Sequence, residues 1–411
     1  MCQASRYLRA LVVVAIVSCI SWAGAQGETA TNSSGKTRTY YIAADEIEWD
    51  YAPMNVDMMT GKPFEGYSKM FVEQGPQRIG QKYKKAVFRE YTDDSFQTLK
   101  PRPAELAHMG ILGPVIRAEV GDTIKIVFRN NSSNAFSIHP HGVSYAPDSE
   151  GAMYADAIEH PAAHGLVPPG KTHTYTWTAR EQCGPGPGDG SSVVWLYHSH
   201  NYEPKDVNAG LIGPIVITRK GMARPDGSPK DIDREFFALF MIFDENQSHY
   251  LMSNIKKYAG EPDKVNRLDF KPGDPDGNAD IIGSGFAPAN FKSTINGYLF
   301  GNNPPIVMHV GDHVRWYVMT MGEGFNFHTP HWHGNVLEVR GKRLDVFTIG
   351  PAEFVTADMV PDMTGSWMFH CHVDEHMQTG MMTEYTVLDR KAEASAPSSH
   401  AHDMSAMAAD H

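Results

Sequence analysis

Apolar and polar positions alternate over short stretches along most of this chain, and the stripe of an amphipathic helix is scarce. Runs rich in β-branched and aromatic residues recur at 123–128, 172–177, 193–197, 314–318 and 383–387, with clusters of Gly, Pro, Asn and Asp between them. Short runs between turn formers predict strands, and many short strands predict β-sandwiches or barrels. One polar, Pro- and Gly-containing stretch starting at Arg219 interrupts the series. It predicts a linker over 219–234 between two comparable halves, 38–218 and 235–390.

The two halves repeat one another. Residues 113–122 (GPVIRAEVGD) echo 304–312 (PPIVMHVGD), each ahead of a strand. Phe136-Ser-Ile-His-Pro-His-Gly142 aligns with His328-Thr-Pro-His-Trp-His-Gly334, and Trp195-Leu-Tyr-His-Ser-His200 with Trp367-Met-Phe-His-Cys-His372. Two copies of one β-domain is the economical account.

The repeated segments hold the chemistry. Of 20 histidines, those at 139, 141, 198, 200, 328, 331, 333, 370, 372 and 376 fall in four clusters. Residues two apart on a strand point to one face, so each His-x-His offers two imidazoles to one side. A single such pair is most simply chance or a surface feature; four at equivalent places in a repeat are not. Cys371, His376 and Met381, with the distant His328, supply the two-His, one-Cys, weak-Met set of a blue-copper site. In the first half Phe136, Ser199 and Leu211 stand where His328, Cys371 and Met381 stand, so that half cannot build such a site. It keeps four histidines for a shared cluster.

Composition narrows the setting. There are 48 acidic against 36 basic side chains, for a net charge of −12, which argues against nucleic acid as a partner. Arg6 and Arg9, an apolar run over 10–20 and Ala23-Gly24-Ala25 form an export leader, 1–25, too short to span a bilayer. This predicts a periplasmic or extracellular protein; residues 16–19 also resemble a lipoprotein site, which would leave a lipid on Cys19. After cleavage Cys183 and Cys371 remain. A disulfide between them is the simple alternative, but histidines on both sides of Cys371 favour a ligand, with Cys183 a free structural thiol in a Gly- and Pro-rich loop. Residues 391–411, rich in Ala, Ser, His and Met, predict a disordered tail.

With these motifs in view, the chain resembles the multicopper oxidases: all four clusters match that family's signatures at full spacing. Residues 40–51 and 193–200 look like the ceruloplasmin and hephaestin branch, whose members have six such domains. In size the chain is similar to the two-domain laccases. The resemblance implies an all-β fold of two cupredoxin-like, plastocyanin-type Greek-key β-sandwich domains. It also implies four coppers. By position, His328, Cys371, His376 and Met381 would hold type-1 copper, and His139 and His331 type-2. His141, His198, His200, His333, His370 and His372 would hold the type-3 pair. A donor would give single electrons at type-1; Cys371 and its neighbours would pass them on, and four would reduce O2 to water. Asp374 and Asp156 resemble acids that family members keep near the cluster for protons. Two-domain laccases reach six domains as trimers with clusters between subunits, which implies a C3 homotrimer here.

The donor stays open between classes. Glu375 matches an acid of the ceruloplasmin iron site and suits Fe(II). The other acids and the histidine of that site are missing from 288–295, before Asn296-Gly297, and Gly324 stands where an acid is common. Phenols or aromatic amines need only an open, partly apolar approach to His376. Met54, Met58, Met59, Met381, Met382 and the tail raise Cu(I) handling, because thioethers are soft ligands; core filling is the simpler account of most methionines. A copper nitrite reductase would carry its cysteine in the first domain and lack the type-3 histidines. A non-catalytic relative would have lost ligands, and none is lost.

Overall fold

The computed structural model describes residues 35–155, 159–272, 283–322 and 326–390. The leader, Cys19, Asp156, Gly324 and the tail lie outside them. Each half is a β-sandwich. In the first, β1 (Thr37–Asp50), β2 (Lys82–Tyr91), β3 (Ile116–Glu119), β4 (Thr123–Asn130), β5 (His139–Pro140), β6 (Ser144–Tyr145), β7 (Thr172–Thr178), β8 (Ser192–His198) and β9 (Ile212–Thr218) form two sheets. Their orders are β2-β1-β4-β7-β6 and β3-β9-β8-β5.

The second half contains β10 (Arg234–Asp244), β11 (Lys271–Pro272), β12 (Gly283–Ser284), β13 (Phe291–Ile295), β14 (Ile306–His309), β15 (Val314–Thr320), β16 (Pro330–Trp332), β17 (Leu337–Val339), β18 (Lys342–Leu344), β19 (Phe354–Met359), β20 (Gly365–Cys371) and β21 (Met382–Leu388). Its sheets run β13-β10-β15-β19-β17-β18 and β14-β21-β20-β16, with β11 and β12 paired apart. The helices are short: α1 (Lys69–Val72), α2 (Glu203–Ala209), α3 (Leu251–Tyr258), α4 (Phe286–Ala289) and α5 (Asp374–Gln378).

The sequence repeat is a topological one. The first strand of each half runs parallel to the strand after the Gly-Asp turn, β1 to β4 and β10 to β15. The strand before that turn runs parallel to the last, β3 to β9 and β14 to β21. These non-sequential neighbours are Greek-key crossovers, and the fold is the cupredoxin-like all-β one. All five predicted runs are strands: β4, β7, β8, β15 and β21.

Burial explains how the halves join. Along β10, Phe236, Ala238, Phe240 and Ile242 enter the second half's own core. Phe237, Leu239, Met241 and Phe243 enter a third core, shared with Trp49, Val194, Leu196 and Val216 of the first half. A strand buried on both faces reads as an unbroken apolar run, without alternation. Ion pairs close the seam. The Arg117 guanidinium meets both Glu235 oxygens at 2.9 Å. Lys85 pairs with Glu245, and neither side chain is exposed. The linker is itself ordered: Arg224 donates to the carbonyls of Pro229, Lys230 and Ile232.

Candidate metal centre

The motifs sit where strands end. β5 pairs with β8 so that His139 lies opposite His198, and β16 pairs with β20 so that His331 lies opposite His370. β8 ends at His198 and β20 at Cys371, so His200 and His372 lie just beyond regular pairing. Even so, the rings two apart stay together, with centroids 5.4 Å apart for His198 and His200 and 5.5 Å for His370 and His372. The residue between them points the other way, into the second half's core.

That residue, Cys371, forms the first site. Its Sγ lies 3.7 Å from Nδ1 of His328 and 3.6 Å from Nδ1 of His376. The Thr329 amide donates to Sγ at 3.3 Å. Cys371 and Met381 are fully buried, and His328 and His376 nearly so. Met381 is tied in by its backbone, accepting from the Cys371 amide at 3.1 Å and donating to the His376 carbonyl at 2.9 Å. Burial, then the neighbouring His328, pulls His376 down to about 3, so its imidazole is neutral and able to bind metal.

The remaining eight histidines form two sets. In the first half, Nε2 of His141 and Nε2 of His198 are 3.1 Å apart. In the second, Nε2 of His370 lies 3.0 Å from Nε2 of His333 and 3.3 Å from Nδ1 of His331. Carbonyls fix the tautomers: Nδ1 of His139 donates to Glu150 at 2.7 Å, His198 to Ser199 at 3.0 Å, and His370 to Cys371 at 2.8 Å. The Nε2 lone pairs of these three rings are thereby left free for metal. Burial lowers His139, His198, His331 and His370, and takes His141 to about 4. No trio of donors within 4.8 Å mixes the two sets among the described residues. His372 is exposed and the His200 side chain is 36% exposed. The donors fit copper: thiolate with two imidazoles and a thioether in one place, imidazoles alone in the other two.

The other expected residues are scattered. Asp374 is exposed at the first position of α5. Glu375 is half-buried, its Oε1 has no hydrogen-bond partner, and burial raises its pKa. It shares with His376 a cleft of about 230 Å³, walled mainly by Tyr67, Phe71, Phe270 and Phe291. Met58 and Met59 lie against Gly301, whose amide donates to Met382; Met54 and Met58 are exposed. Cys183 is a buried free thiol. Sequence reasoning missed Asp345, whose Oδ2 is 3.7 Å from Nε2 of His331. It also missed Phe354, whose ring centroid is 5.3 Å from that of His141. Neither has a local signal, because each arrives from a distant strand or loop.

Sequence models of the multicopper oxidase family match residues 90–221 and 272–391, together more than half of the chain. The chain belongs to the multicopper oxidase family. It is 42% identical over 365 residues to ferroxidase HEPHL1 of Mus musculus, covering 88% of this chain and 30% of that protein. It is 38% identical over 371 residues to ceruloplasmin of Homo sapiens, covering 89% and 32%. The chain thus spans about a third of the length of these relatives. Among solved structures, a blue copper oxidase from Nitrosomonas europaea superposes with a TM-score of 0.52 at 18% identity over 86% of each chain, a likeness of fold alone. Family and donor set agree on copper as the cofactor.

Proposed function

We propose that the protein is an exported oxidase that couples one-electron oxidation of a small donor to four-electron reduction of O2. Copper at His328, Cys371, His376 and Met381 would take electrons from the donor, and copper among the other eight histidines would deliver them to O2, giving water. The observation that supports this best is the reversal of direction along one strand end. Cys371 turns into the type-1 donor set while His370 and His372 turn to the other, so one short stretch of backbone joins the two. Thr329 keeps the cysteine sulfur in a donor's field, and burial keeps the His376 imidazole neutral. Asp374, exposed three residues on, would take protons from solvent.

For the donor, the cleft beside His376 favours a phenol or aromatic amine. Four aromatic rings line it alongside Ile242, Pro288, Ser293, Asn326 and Thr379, and the half-buried Glu375 carboxylate would accept a hydrogen bond from a hydroxyl or amine. Fe(II) is the second reading, favoured by the ferroxidase relative and by Glu375 itself. The separation of the two histidine sets supports a C3 homotrimer in which the first-half set (38–218) of one subunit meets the second-half set (235–390) of the next.

Three measurements test this. Oxygen uptake by copper-loaded protein is followed with catechol, Fe(II) and Cu(I) offered separately; the phenol reading expects catechol to be consumed fastest. Cys371→Ser should abolish the visible band and turnover, and surviving turnover would refute the electron path. Sedimentation should give a trimer, and a monomer with a full near-ultraviolet copper band would contradict the shared cluster.

A further inference from the structure

Three of the four type-1 positions have counterparts in the first half: Phe136, Ser199 and Leu211. Backbone geometry supplies the fourth. In the second half the Cys371 amide donates to Met381 at 3.1 Å, and the Met381 amide donates to His376 at 2.9 Å. In the first half the Ser199 amide donates to Leu211 at 3.1 Å, and the Leu211 amide donates to Asp206 at 3.3 Å. The Thr329 amide donates to Cys371 Sγ; the Ser137 amide donates to Ser199 Oγ at 3.0 Å. Asp206 therefore stands where His376 stands.

Asp206 has no exposed surface, yet its carboxylate is well supplied with donors. Oδ2 accepts from Ser199 Oγ at 2.7 Å and from the amides of Asn201 and Tyr202 at 3.0 Å each. Oδ1 meets Nε2 of His249 at 2.8 Å. His249 comes from the segment after β10, in the other half, and packs edge-on against Phe136. A buried carboxylate is tolerated only when satisfied in this way. Ser199 precedes His200, and Asn201 and Tyr202 follow it, so Asp206 grips the chain on both sides of one imidazole and next to another.

We propose that the Asp206–His249 pair does for the first half what type-1 copper does for the second: it ties the strand end bearing His198 and His200 to α2 and holds both imidazoles ready for the trinuclear coppers. Asp206 and His249 are positioning residues and touch neither O2 nor donor. The inference rests on the copper reading above. Because a carboxylate replaces the metal, the first half presents its histidines before any copper has bound.

Asp206→Ala, His249→Ala and Asp206→Asn are loaded with copper and compared with the unsubstituted protein. The visible type-1 band is set against the near-ultraviolet type-3 band and the type-2 paramagnetic signal. Both alanine variants should keep the visible band and retain the other coppers about 10-fold more weakly, the usual effect of removing a group that orients ligands. Asp206→Asn keeps the shape and an acceptor for the amides, and should restore most of the ratio. An unchanged ratio in both alanine variants, or an asparagine variant no better than alanine, would overturn the proposal. So would an equal fall of all copper signals in His249→Ala, which carries the test if Asp206→Ala does not fold. A normal spectrum without substitution, with unchanged ratios in the variants, sinks only this inference. Absence of a visible band from the unsubstituted loaded protein would instead sink the copper reading.

Discussion

One cysteine organises the second half's chemistry. Cys371 serves two geometries at once: its side chain faces two imidazoles at 3.6–3.7 Å, and its backbone carbonyl accepts the Nδ1 proton of His370. The carbonyl contact sets which nitrogen of His370 stays free, so sulfur and backbone prepare two metal sites together. On the proposed donor site, Glu375 would decide among donors at the same scale. Glu375→Gln removes the carboxylate from a cleft lined in part by aromatic rings. It should lower kcat/KM for a phenol about 10-fold, equivalent to ~1.5 kcal/mol, and leave the visible band in place. Equal turnover of phenols by the variant and the parent would remove Glu375 from the donor site. All ten clustered histidines were legible because their signal is local spacing. Asp345 and Phe354 were not, since only folding brings them beside His331 and His141.

The earlier motif of each half also carries a glycine whose purpose belongs to the strand pair around it. Gly142 and Gly334 directly follow the last histidine of their motifs, His141 and His333, with φ of +70° and +73°. A Cβ there would lie 2.0 Å from Trp195 and 2.3 Å from Trp367, respectively. The tryptophan preceding each later motif thus covers the glycine of the earlier one, and this fixes the register of the two histidine-bearing strands. Gly334→Ala should cost about 2–5 kcal/mol in a denaturant titration, from backbone strain and the displaced indole. It should also weaken the near-ultraviolet band more than the visible one, because His333 is adjacent. An unchanged midpoint would contradict this account. The repeat of His-x-His-Gly and Trp could be read from sequence, whereas the covering of one by the other could not.

Across the whole molecule, the seam between halves depends on buried polar groups as well as on the shared core. His108, a histidine outside the four clusters, is such a group. Its Nδ1 donates to the Glu105 carbonyl at 2.9 Å, and its Nε2 accepts the Phe237 amide of β10 at 3.0 Å. Protonation would turn that acceptor into a donor, and burial takes His108 down to about 3. The unfolded chain takes up this proton near pH 6.5 and the folded chain does not. The contribution is therefore complete above pH 6.5 and lost as pH falls from there towards about 3. The slope for this one proton is about 1.4 kcal/mol per pH unit. His108→Gln should flatten the acid limb of metal-free protein by about that amount, measured as unfolding free energy between pH 4 and 7. An identical slope in the variant would show that His108 is not the group concerned.

The sequence alone determined the strand-rich repeat, the asymmetry between its two copies and the histidine clusters that hold the candidate copper ligands, because all of these are written in short-range spacing. Tertiary structure decided what depends on distant residues meeting. It built β10 into two cores, separated the eight remaining histidines into two sets, and placed an aromatic cleft beside His376. It also made Asp206 the counterpart of His376, a match concealed in sequence by the different spacing after each His-x-His and recovered by the backbone hydrogen bonds.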